Sequence, residues 1–246
     1  MTLPVRLSRL AAAVSLLTLG LLTADVGTAA ASPAPSSAST TGTVVLLRVE
    51  GATSTLFEAP VLTVPHAVTT PSGGTHHCDG TNNGANPTAG PTATGALDNG
   101  AQAGGFSWDG TYFASFDDYL VTSIAGESQT DTQFWALLRN GSLTPVGGCQ
   151  QQVRLGDEVL FAFDGFAKAH ALKLSGPVLA RAGQQARYTV TDAATGAPIA
   201  GATVAGASTD AQGQALVTFH NTGVTRVKAD RADSIRSNSV WTLVTN

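Results

Sequence analysis

The chain has 246 residues, of which 43% are hydrophobic and only 12% charged, with a formal net charge of −4. Charged residues stand at about half the usual share of about 25%. Mean hydropathy is nevertheless near zero, so disorder driven by charge is excluded and the surface must be built from Thr, Ser, Asn, Gln and Gly. An acidic balance without a Lys/Arg run also excludes nucleic-acid binding through phosphate neutralisation.

In chain order, Arg6 and Arg9 precede an apolar run from Leu10 to Leu22, and small residues lead up to Ser32. That is the charged, apolar and cleavage order of a secretory signal peptide, and the run falls short of the roughly 20 residues needed to span a bilayer. The sequence therefore predicts a signal peptide over 1–31, a Ser/Pro/Ala/Thr-rich disordered leader over 32–42, and a secreted, extracellular mature chain with no membrane span. Two cysteines, Cys78 and Cys149, survive such a cleavage. In an exported protein an even pair is most simply a disulfide, with two free thiols or a metal pair as the alternative; no CxxC spacing supports the latter.

Thr43 to Glu50 is rich in β-branched and apolar residues and ends at Gly51, a strand signal, and Thr55 to Val64 can form its hairpin partner. Thr92 to Ala103 is the one plausible helix, weakened by Gly95 and Gly100. Further strands are predicted over Tyr119 to Ile124, Phe134 to Leu138 and Glu158 to Phe163, with Asn140-Gly141 as a turn between the last two. A boundary is suggested near Ser175-Gly176-Pro177, where charge changes sign: residues 42–176 hold five basic and twelve acidic residues, and residues 177–246 hold six and four. Beyond it, Ala186, Tyr188 and Val190 share one face, Val227 and Ala229 alternate with Arg226, Lys228 and Asp230, and turn signals recur. Period-two patterning of this kind means half-buried antiparallel strands. The expected fold class is mainly β, with an α+β N-terminal module over 43–176 followed by a small sandwich over 177–246.

Four segments in this order, Val45-Leu-Leu-Arg-Val-Glu-Gly51, Tyr119-Leu-Val-Thr-Ser-Ile-Ala-Gly126, Phe134-Trp-Ala-Leu-Leu-Arg-Asn-Gly141 and Gly156-Asp-Glu-Val-Leu-Phe-Ala-Phe163, carry a resemblance. They are similar to the transcobalamin-like C-terminal domain family, found in vertebrate cobalamin carriers and in secreted or surface bacterial proteins of unknown role. The resemblance covers roughly Thr43 to Leu174 and implies a β-grasp fold, here pinned by a disulfide. Downstream, Tyr188-Thr-Val-Thr-Asp192, Gly196-Ala-Pro-Ile-Ala-Gly-Ala-Thr-Val204 and Thr209-Asp-Ala-Gln-Gly213 resemble a bacterial immunoglobulin-like module or the related carboxypeptidase regulatory-like sandwich. The carriers hold cobalamin between this domain and a helical barrel that has no counterpart in this sequence, so a corrinoid is only what the resemblance implies.

Catalytic signatures are missing: there is no GxSxG, HExxH, GxxxxGK[ST] or GxGxxG. Residues 65–91 are long and polar and carry the ligand-binding candidates His76, His77, Asp79, Asn82, Asn83 and Asn86. His76, His77 and Asp79 could ligate a divalent metal, with His66 or His170 reaching in, although adjacent histidines on an extended backbone point to opposite sides. The alternative is that the Asn and Asp residues form Asx turns while Cys78 pins the loop. Six aromatic residues between Phe106 and Tyr119 form a second cluster, of which Trp108 and Tyr112 could stack on a flat ligand or fill a core. Asp117 and Asp118 are expected to be solvated turn residues, and Trp135 core. Taken together, the residues predict a monomeric, non-enzymatic secreted binding or adhesion protein that recognises a small molecule or an extracellular protein or polymer. The alternatives are a corrinoid or metal carrier built on residues 76–86 and an extracellular hydrolase.

Overall fold

The computed structural model describes residues 41–246, which lie within one compact unit. The expected signal peptide, 1–31, and most of the leader, 32–42, lie outside the described residues. The first half contains β1 (Thr43–Glu50), β2 (Thr55–Thr63), β3 (His66–Thr70), β4 (Gly74–Cys78), α1 (Ala93–Gly104), β5 (Trp108–Phe113), β6 (Asp118–Ile124), β7 (Glu127–Ser128), β8 (Trp135–Arg139), β9 (Ser142–Leu143) and β10 (Glu158–Phe163). The second contains β11 (His170–Ser175), β12 (Leu179–Arg181), β13 (Gln185–Asp192), β14 (Thr203–Val204), β15 (Ala207–Ser208), β16 (Gln214–Thr218), β17 (Gly223–Val227), β18 (Ala229–Asp230), β19 (Ser234–Ile235) and β20 (Val240–Thr245). The protein is thus mainly β, as its composition and turn spacing predict.

The central sheet has the order β2-β1-β10-β8-β9. The β1–β2 hairpin is antiparallel, whereas β1 and β10 run parallel with Leu47 opposite Val159. This sheet is buried on both faces. Val45, Leu47 and Val49 of β1 and Val159 and Phe161 of β10 point to one side, into a core shared with Ala93, Ala96 and Leu97 of α1 and with Trp108, Tyr119, Ile124 and Trp135. The helix begins one residue after the predicted start because Thr92 is its N-cap, its hydroxyl accepting from the Gly95 N–H at 3.1 Å. Gly100, a weak helix former, is required there: a Cβ would run into Leu47 of the sheet beneath. Two smaller sheets, β3-β4 and β5-β6-β7, complete this half. The β3–β4 hairpin, with His66 opposite Cys78, replaces part of the polar loop expected over 65–91.

In the second half, the sheet β16-β13-β11-β19 and the sheet β12-β20-β17 enclose Leu172, Tyr188, Val190, Val204, Val217 and Val227. Strand β11, ahead of the expected boundary at 176/177, pairs with β13 through Leu174 opposite Val190, so the change of core falls between β10 and β11. The two halves meet on the second face of the central sheet, where Ala136, Leu138, Leu160 and Ala162 pack on Ala171 and Ile235. Beside this apolar patch Glu50 is almost completely buried and takes three cations: Lys228 Nζ at 2.5 Å, Arg236 Nε at 2.9 Å and Arg48 Nη1 at 3.4 Å. Arg48 also pairs with Glu158 at 2.7 Å, and Lys228 reaches Glu58 at 3.3 Å. Lys228 and Arg236 belong to the second half, so its positive balance is partly spent on acids of the first.

Candidate functional site

An open groove of about 550 Å³ lies between two segments of the first half, the turn from Phe113 through β6 to Leu120 and the stretch from Thr144 to Gln150. Its walls are Phe113, Phe116, Leu120, Pro145 and Val146, with Asp118 in the floor. Phe116 is 65% exposed, and Phe113, Leu120 and Val146 are each exposed by about two fifths. Large apolar side chains are exposed elsewhere as well, among them Leu155, Phe166, Val178 and Trp241, but here four of them face one concavity, which makes the groove a candidate site.

Covalent and charge-assisted contacts hold the walls in place. The Cys78–Cys149 disulfide forms and ties the second wall to β4. Asp118 accepts the N–H groups of Cys149 at 3.0 Å and Gln150 at 3.3 Å, together with that of Tyr119 at 2.8 Å. Gly147 is needed at this contact, since a Cβ would overlap the Asp118 carboxylate. Burial pushes the Asp118 carboxyl up to about 6 even though these N–H groups favour its charged form, and neighbouring Asp117 adds to the rise.

Asp117 holds the next turn. It adopts a left-handed backbone, with φ 50°, and accepts from Tyr112 O–H at 2.7 Å, the Asn83 N–H at 2.7 Å and His77 Nε2 at 2.9 Å. Burial would raise its carboxyl, but the bonds from Tyr112, Asn83 and His77 outweigh it and hold it below the ordinary value. Asp117 and Asp118 are only 3% and 5% exposed, which corrects the expectation of solvated turn residues. Each carboxylate replaces water with backbone N–H donors from a segment distant in sequence, a provision that local spacing does not reveal.

The residues singled out from the sequence are distributed as follows. His76 and His77 point to opposite sides of β4: the His76 ring stacks on Tyr112 with centroids 3.5 Å apart, and His77 bonds Asp117. Asp79 accepts from Thr81 N–H at 3.1 Å, Asn86 donates to the Gly80 carbonyl at 3.0 Å, and Asn82 and Asn83 have φ of 49° and 51°. This is the Asx-turn arrangement given above, with Asp79 and Asn86 each accepting from the N–H two residues on. Among the described residues no group of three or more His, Cys, Asp and Glu side chains is placed to hold a metal ion. Trp108 is buried, edge-on to Tyr119, and donates from Nε1 to Asp98 at 3.1 Å, so it belongs to the core. The aromatic cluster therefore divides, with Trp108 and Tyr119 inside and Phe113 and Phe116 on the groove. Of the groove residues, Phe113 and Phe116 belong to the aromatic cluster read from the sequence, although Trp108 and Tyr112 are the members singled out from it, whereas Leu120 and Val146 carry no sequence signal.

His66 lies on the opposite side of the β3–β4 hairpin's base, with Nε2 3.0 Å from Asp98 and Nδ1 2.7 Å from the Val64 carbonyl. The bond to Asp98 raises the His66 pKa above 6.5 against an opposing effect of burial, and the Val64 carbonyl adds to the rise. A raised histidine stabilises the fold fully below its unfolded value, and that contribution is lost as pH rises through the higher folded value. In the wild type the part of stability lost above pH 6.5 is expected to shrink in His66→Gln, as read by urea midpoints on either side of that pH.

The groove lining is apolar apart from Asp118, Tyr119, Thr144 and Gln150, and holds no Ser, Cys, His or Lys. Its two hydroxyls are committed, Thr144 donating to the Val146 carbonyl at 2.8 Å and Tyr119 lying 2.8 Å from the Val68 carbonyl. Comparison with known families places this region.

Residues 98–165 match the family model described as a domain of unknown function, DUF4430.

The match runs from within α1 past β10, so it encloses every residue lining the groove and three of the four segments that carried the resemblance. It includes neither β1 nor any strand of the second half. No curated protein matches the chain.

Proposed function

We propose that the protein is a secreted, non-enzymatic binding protein whose first half, a β-grasp-like module, takes an apolar ligand in the groove between residues 113–120 and 144–150. In this reading the immunoglobulin-like second half serves as a spacer or adhesion module. The observation that carries the proposal is the convergence of Phe113, Phe116, Leu120 and Val146 on one concavity whose walls are tied by a disulfide and by Asp118. A preorganised apolar cleft of this size suits a small molecule. The committed hydroxyls favour binding over catalysis.

The test is fluorescence titration with the neutral apolar probe N-phenyl-1-naphthylamine. Saturable enhancement is expected, weakened about tenfold in Phe116→Ala, the equivalent of one lost phenyl contact. Phe116 is exposed, so the variant should retain its near-UV circular dichroism. Absence of saturable binding by the folded wild type would remove the reading. The carrier alternative, a corrinoid or divalent metal on residues 76–86, is tested by titrating cobinamide and zinc. Because Asp79 and Asn86 accept from the loop's own backbone while His76 and His77 lie on opposite sides of β4, neither is expected to bind stoichiometrically.

A further inference from the structure

The groove floor contains a charge without a counter-charge. Asp118 is 95% withdrawn from solvent by its exposure of 5%, and no ion pair reaches it among the described residues, although every other carboxylate as deeply buried in the first half has a cation or a histidine against it. Buried ions are ordinarily paired or neutralised. Three backbone N–H groups favour the ionised form of Asp118 without cancelling its charge.

The groove lining is equally one-sided. No Lys or Arg lines it. Gln150 spends one of its two amide N–H groups on the Phe116 carbonyl and Thr144 its only hydroxyl proton on the Val146 carbonyl, which leaves both oxygens and a single neutral N–H toward the groove. Of the basic residues of the first half, Arg48 is engaged at the junction with Glu50 and Glu158, Arg139 lies beside Asp157, Lys168 donates to the Ala232 carbonyl, and Arg154 is exposed and outside the groove lining. An anion would thus meet a carboxylate and no cation, with one neutral amide N–H to set against that charge, whereas a cation would supply both donors for the free oxygens and the missing charge.

We propose that the groove selects a small apolar cation, with an alkyl or aryl body between Phe113, Phe116, Leu120 and Val146 and an ammonium or amidinium end over Asp118. The proposal rests on the apolar-groove reading above and adds the charge class of its ligand. Because the Asp118 carboxyl is pushed up to about 6, its charge is present at neutral pH and lost in mild acid. The titratable groups around it are Asp117 beside it, His77 and Tyr112 bonded to Asp117, and Tyr119. The facing wall, residues 144–150, carries no charged side chain.

The experiment is displacement of N-phenyl-1-naphthylamine by decylammonium and by decyl sulfate below their micellar concentrations, at about 0.15 M salt to screen the general surface charge. At about pH 7.5 the ammonium is expected to displace the dye at roughly a tenfold lower concentration than the sulfate, the difference shrinking towards pH 5 as Asp118 takes up its proton. His77→Gln should leave that pH dependence in place, and Asp118→Asn should abolish the preference. If Asp118→Asn fails to fold, the wild-type pH series and His77→Gln carry the test. Equal displacement by the two probes, or a preference for the sulfate, overturns the cation proposal and leaves the apolar groove standing. A dye that does not bind at all overturns both.

Discussion

Replacing Cys78 and Cys149 together by alanine is expected to lower the free energy of unfolding by about 4 kcal/mol, the chain-entropy value for a closed loop of this size. The bridge joins positions 71 apart, and both cysteines are almost completely buried. Alanine is the better replacement because a serine hydroxyl would enter the core without an assured partner. The urea midpoint should fall, and the slope of the transition should rise as the uncrosslinked chain exposes more surface on unfolding. The groove should respond as well, since Cys149 sits in the wall that Asp118 grips. Dye binding is therefore expected to weaken in the variant even at urea concentrations where it remains folded. An unchanged midpoint after full reduction, with loss of the bridge confirmed by a 2 Da gain in intact mass, would show that the bridge contributes little to stability.

Glu50→Gln is expected to cost about 3–5 kcal/mol, the range seen when one member of a buried ion cluster is removed and its partners are left uncompensated. Glu50 stands among Arg48, Lys228 and Arg236, and Thr55 also donates to it at 3.0 Å. Taking away its charge leaves three cations facing one another across the junction. Lys228→Met should cost less, because Glu50 keeps two guanidinium partners and the methionine stem retains the apolar part of the lysine's packing. Burial pulls the Lys228 ammonium's pKa down although Glu50 and Glu58 oppose it, so this lysine already pays a desolvation cost that methionine avoids. Since the two cores meet through this cluster and a small apolar patch, Glu50→Gln should also split thermal unfolding into two transitions. A single transition with an unchanged midpoint would contradict this account of the junction.

Several elements could be read from the residues alone. The run from Thr43 to Glu50 ends at a glycine and forms β1 over those same residues, and Glu158–Phe163 forms β10 as predicted. The one helix was read over Thr92 to Ala103 and forms one residue later, over Ala93–Gly104, because Thr92 is its cap and a cap needs no distant partner. The strict alternation of Ala186, Tyr188 and Val190 placed all three on the buried face. Each of these signals lies within a few residues, where backbone geometry and side-chain period act directly.

The pairing of β1 with β10 was not legible, because a strand's pattern tells which face is buried and not which strand lies beside it. For the same reason Arg48 and Glu50, charged residues in a strand that otherwise reads as core, could not be assigned to a second buried face until Lys228 and Arg236 were seen against it. Nor could Asp118 be told from a solvated turn residue, since the N–H donors that replace its water come from residues 149 and 150. By itself the sequence determined a weakly charged, mainly β chain, one helix and a cysteine pair suited to a bridge. Tertiary structure alone decided that Phe113 and Phe116 face outward on a groove, that Trp108 fills the core, and that Asp118 is buried with neither a cation nor a histidine against it. Local propensity chooses elements, but burial and charge compensation depend on which distant segments arrive at the same place.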